Sequence, residues 1–86
     1  MKEALMDWVD RLAADLHLDA LSAHEKEHLL SVSREVAHRV ERKATPSAMY
    51  VIGLAVGTQI GERERDDAID DAIHALLLRL PPVEEA

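Results

Sequence analysis

The sequence contains no cysteine and no phenylalanine. Without cysteine there is no disulfide, no thiolate metal site and no thiol nucleophile, and a cytoplasmic setting is the expectation. Aromatic residues make up 2% of the chain, Trp8 and Tyr50 alone. A core must therefore come from Leu, Val, Ile, Met and Ala, which suits close-packed helices better than a sheet. Positive charge is in the minority: Lys and Arg number 10 against 17 Asp and Glu, a formal net charge of −7. That balance argues against nucleic acid, whose binding rests on neutralised phosphates, and equally against an anionic membrane surface. Long hydrophobic runs are missing too. The longest, Ala48 to Val56, falls far short of the roughly 18 residues of a membrane span. The start, MKEALMDWVD, carries acids where a signal peptide would be apolar.

What is present suffices for one domain. Hydrophobic residues are 48% of 86, and a chain of this size buries roughly 60–65% of the surface it exposes when unfolded. Periodicity predicts an all-α, compact four-helix bundle with helices at about 2–16, 23–42, 46–59 and 65–80, and a frayed tail at 83–86. Leu5, Trp8, Val9, Leu12 and Leu16 form the first apolar stripe. The second is Leu29, Val32, Val36 and Val40, widened by Leu30 and Ala37. Thr45-Pro46 opens helix three, with Thr45 the expected cap. Helix three is apolar nearly all round, so it should sit centrally, surrounded by helices of its own fold or of a partner. Ile69, Ala72, Ile73, Leu76, Leu77 and Leu80 form the stripe of helix four, which Pro81-Pro82 ends.

Four patterns bear on function. His24-Glu25-Lys26-Glu27-His28 is H-E-x-x-H, which on a helix offers zinc two imidazoles and a general base. The same glutamate completes a capping box, Ser22-Ala23-His24-Glu25, and so needs no chemistry to explain it. A zinc protease also requires a third protein ligand and a cleft, for which a four-helix chain of this length leaves little room. His24 and His28 remain metal candidates, and a small metal-binding or metal-dependent hydrolytic protein is the alternative reading. Second, His24, His28, Ser31, Glu35, His38 and Arg42 line one side of helix two, either a solvated face or a polar docking surface. Third, Asp66-Asp67-Ala68-Ile69-Asp70 is D-D-x-x-D. A magnesium–diphosphate role would need a large cavity, whereas acids at a helix start are favoured by the dipole, and His74 is the expected partner of Asp70. Fourth, the only glycines, Gly53, Gly57 and Gly61, are spaced every four residues. Glycine in a helix costs about 1 kcal/mol against alanine, so the spacing marks close helix approach, in the core or at a homodimer seam.

The segment Arg34 to Gly57, REVAHRVERKATPSAMYVIGLAVG, resembles a family of small helical domains of unknown function from high-GC bacteria. Val36, Ala37, His38, Val40, Glu41, Arg42, Pro46, Tyr50, Gly53, Leu54, Ala55 and Gly57 carry the resemblance, with Trp8. Lys43 stands where the family often has proline. Members are often encoded beside, or fused to, a molybdenum-cofactor guanylyltransferase. The resemblance therefore implies an accessory role in molybdenum-cofactor biosynthesis, with that nucleotidyltransferase as partner, and it brings no catalytic residues. His38, Glu41, Arg42 and Tyr50 gather near the turn between helices two and three, as a structural cluster or as a docking patch. The expectation is a non-catalytic interaction domain without a cofactor, self-associating or docking on an enzyme.

Overall fold

The computed structural model describes residues 2–82, with side chains from Trp8 onward; Leu5 as a core residue and the tail at 83–86 lie outside the described residues. Among these, the chain forms four helices and no strand: α1 (Lys2–Asp15), α2 (Ala23–Arg39), α3 (Ala44–Gly57) and α4 (Arg65–Leu78). The all-α four-helix architecture follows from the apolar periodicity.

Helices α2, α3 and α4 pack on one another. Val32 of α2, Ile52 and Val56 of α3, and Ala68, Ile69 and Ile73 of α4 are buried together, flanked by Leu29, Met49, Ala72 and Leu76. Buried aliphatic side chains of this kind contribute about 1.5–3 kcal/mol each. Among the described residues α1 makes no close backbone approach to these three helices; Ala13 is buried, and Lys26 Nζ of α2 lies 3.1 Å from Asp10 Oδ1. The expected α1 stripe is largely not core: Trp8, Leu12 and Leu16 are exposed, and Val9 is half-buried. The face is apolar, as the periodicity indicates, but nothing among the described residues covers the three exposed side chains.

Local chemistry sets the helix ends. Ser22 caps α2, and its hydroxyl accepts from the Glu25 N–H while Glu25 accepts from the Ser22 N–H. Thr45 does not cap α3. That helix starts at Ala44 with no side-chain cap, because backbone turns from Glu41 and Arg42 already engage the N–H groups of Ala44 and Thr45. The Thr45 hydroxyl is buried without a partner. Helix α1 ends on His17 at φ 62°. The N–H groups of His17 and Leu18 bond back to the carbonyls of Ala14 and Ala13, a left-handed closure that favours glycine. His17→Gly should therefore stabilise the chain by about 0.5–1 kcal/mol; urea denaturation checks this, and a loss of stability would assign the histidine a role of its own.

Candidate functional site

The first turn of α2 and the start of α4 meet, and the H-E-x-x-H and D-D-x-x-D motifs meet with them. Glu25 points inward and is 2% exposed. Its Oε2 accepts from Arg65 Nε at 2.6 Å, and its Oε1 accepts from Arg65 Nη2 at 2.7 Å. Oε1 also accepts from the Ser22 N–H at 2.8 Å. Arg65 donates further to the carbonyls of Asp19 and Ala20, in the segment joining α1 to α2. One guanidinium thus ties that segment, the α2 cap and the α4 start together. Burial pushes the Glu25 carboxyl up, but the Arg65 hydrogen bonds and charge and the Ser22 N–H outweigh it, and the group lies below the usual carboxylate range. A carboxylate so held is acceptor-only, with both oxygens engaged. The general-base role in the H-E-x-x-H reading is taken by a structural ion pair.

The histidines face elsewhere. His24 Nε2 lies 2.6 Å from Asp70 Oδ1 on α4, and the His24 and His28 ring centroids are 4.1 Å apart. One ligand atom from each of His24, His28 and Asp70 falls within 4.8 Å of the other two. Asp70 is therefore bonded across helices to His24, not along α4 to His74 as the spacing predicted. The hydrogen bond to Asp70 is the main reason His24 holds its proton above the ordinary value of 6.5; desolvation opposes it, and the charges of Asp70, Asp66 and Glu25 reinforce it. Because the folded-state value lies above the unfolded one, the stabilisation is complete below the unfolded value and disappears as pH rises through the folded value. Asp70→Asn should return the His24 titration toward 6.5 and flatten the stability profile above that pH. An NMR titration of the His24 ring checks it, and an unmoved midpoint would show that Asp70 does not hold the proton.

The remaining acids of the D-D-x-x-D motif are divided among other partners. Asp66 Oδ1 accepts from the Ser22 hydroxyl at 2.8 Å, Asp67 is exposed, and Asp71 next to the motif pairs with Arg63. This arrangement fits helix-start and inter-helix pairing rather than shared magnesium. Along the expected polar face of α2, Glu35 pairs with Arg39 at 3.4 Å. His38 is exposed, and Arg42 lies past the end of the helix. His38, Glu41, Arg42 and Tyr50 are all exposed. Tyr50, at 69% exposure, therefore needs no buried partner for its hydroxyl.

The glycines give the clearest result. A Cβ added at Gly53 or Gly57 would meet nothing within 4 Å, so among the described residues neither serves close packing. Both lie with Tyr50 and Leu54 at helical spacing of three and four residues, on the flank of α3 between buried Ile52 and Val56 and fully outward Leu54. Tyr50, Val51 and Leu54 are all more than half exposed, and α3 carries no charged residue. The helix expected to be surrounded is covered on one side only. Below it, an apolar groove of about 370 Å³ runs past Ala13, Leu18, Leu29, Met49, Gly53 and Gly57.

Residues 1–84 match the family described as Domain of unknown function (DUF6457). The chain belongs to that family. The match spans nearly all of the chain, well beyond the central segment that carried the resemblance, and the DUF6457 description names no activity. Comparisons with curated proteins and with solved structures gave no match. No helix of the described residues is long and apolar enough to cross a membrane.

Arg65 and the pairing of Asp70 with His24 are not apparent in the sequence. Both contacts join residues 40 or more positions apart, and no local spacing signals them. The one available hint was a lone arginine at the start of a helix whose next residues are acidic.

Proposed function

We propose that this DUF6457 chain is a non-catalytic helical interaction domain that self-associates through the exposed face of α3. The observation that carries this reading is the pair Gly53 and Gly57, inside a helix yet beside open space. Each costs the isolated chain about 1 kcal/mol, and a second helix backbone lying across Tyr50, Gly53, Leu54 and Gly57 supplies the missing reason. The shape supports it. The Cα extents are 44 × 35 × 18 Å with a radius of gyration of 13.8 Å, against about 12 Å for a compact domain of this length. The accessible surface is 6763 Å², against about 5,100 Å² expected for the mass. A standard interface covers about 800 Å² per partner, which this excess accommodates. The uncharged face favours a second copy over a charged partner, since two chains of net charge −7 repel least where neither presents charge.

A role beside a molybdenum-cofactor nucleotidyltransferase, in the cytoplasm and without nucleic acid, is the pathway we assign to such a dimer. It rests on the family resemblance and on the charge balance alone. Because the chain has no cysteine, single introduced thiols test the interface. Leu54→Cys should form a disulfide-linked dimer rapidly under mild oxidation, while Glu27→Cys on the polar side of α2 should not. Equal, slow rates for both would remove α3 from any interface.

A further inference from the structure

We propose that His24, His28 and Asp70 form a site for zinc or a similar borderline divalent cation, clamping the first turns of α2 to α4. His24 and His28 are one turn apart on α2 and Asp70 comes from α4, so the site exists only in the folded chain. Their ligand atoms lie within 4.8 Å of one another. Tetrahedral zinc with bonds of about 2.0–2.2 Å places its ligands about 3.3–3.6 Å apart, a spacing these surface side chains would reach by rotating. His24 Nε2 and Asp70 Oδ1, at 2.6 Å, would separate as the ion takes the place of the proton between them. Two imidazoles and one carboxylate match zinc, copper or nickel; magnesium and calcium require oxygen donors. Three protein ligands leave one position for water or another donor.

The local field agrees with a cation. Two helix starts converge here, and their dipoles oppose positive charge. The Asp70 carboxylate supplies the compensating negative charge at the site, 2.6 Å from His24 Nε2. Glu25 itself stays with Arg65. The site is thus a binding centre that keeps the two histidines of the H-E-x-x-H motif but takes its third ligand from the D-D-x-x-D motif. Binding requires both imidazoles to be neutral and so strengthens as pH rises.

The test is isothermal titration of the chelator-stripped chain with zinc chloride at neutral pH, with native mass spectrometry for stoichiometry. One zinc per chain is expected, in monomer and dimer alike, so the result stands apart from the oligomeric state. His28→Ala and Asp70→Asn should each weaken binding on the order of 10- to 100-fold. His38→Ala and His74→Ala should leave it unchanged. All four positions are on the surface side of their helices, and circular dichroism confirms that each variant is folded. Zinc held equally well by Asp70→Asn would reduce the site to an ordinary histidine pair and overturn the proposal, as would no uptake by the wild-type chain.

Discussion

Glu25→Ala should destabilise the chain by about 2–4 kcal/mol. Glu25 is the one buried charged residue among those described, and its loss strands Arg65, which is still partly covered by the Asp19 and Ala20 carbonyls. It also removes half of the α2 capping box, a contribution of about 1 kcal/mol in itself. A domain of this length has a total stability of roughly 4–13 kcal/mol, so the variant should melt about 10–20 °C lower. Arg65→Lys should recover little, because an ammonium does not reproduce the two-pronged bond to both carboxylate oxygens. The pH dependence carries the same signature. The folded-state Glu25 value is depressed, so its stabilisation is present above the unfolded carboxylate value and is lost as pH falls through the folded one. Glu25→Gln should erase that acid-side component. Urea denaturation from neutral pH down to the carboxylate range measures both effects; a cost below about 0.5 kcal/mol, the level of an ordinary surface change, would mean that the ion pair does not hold α2 to α4.

The second large effect is on association. Leu54→Glu puts a charge in the middle of an uncharged face and should weaken the dimer at least about 100-fold, the scale of a hot-spot loss. Leu54 is 53% exposed, so the monomer should be affected little. Gly53→Ala separates the possible explanations more finely. The added Cβ meets nothing in the chain, so monomer stability should rise by about 0.5–1 kcal/mol, while a helix packed across the glycine is pushed away and the dimer weakens. Opposite signs in the two readouts, denaturation of dilute protein and association at high concentration, are expected. A gain in stability with unchanged association would mean that the glycines are not at a seam.

The fold was legible because its signals are local. Apolar spacing placed four helices, Ser22-Ala23-His24-Glu25 fixed the start of α2, and Gly61, at φ 91°, closes the turn after α3. Which apolar faces are covered was not legible. Trp8, Leu12 and Leu16 have the same periodicity as Val32 and Val36, yet the former are exposed and the latter buried. Periodicity reports that a face is apolar, and only the packing reports what meets it. The candidate site divides similarly. His24 and His28 were found from one helix, whereas Asp70 and Arg65 join them through contacts between helices distant in sequence. Glu25 illustrates the ambiguity of a short motif: its neighbours fit both a zinc site and a capping box, the capping box already sufficed to explain it, and burial beside Arg65 agrees with the cap.

The most direct test of the central claim, that the bare α3 face is an interface between two copies, is sedimentation velocity of the wild-type chain over a wide concentration range. The account predicts a species of twice 9.6 kDa that dissociates on dilution and is lost in Leu54→Glu. A single species of 9.6 kDa at every concentration would contradict it.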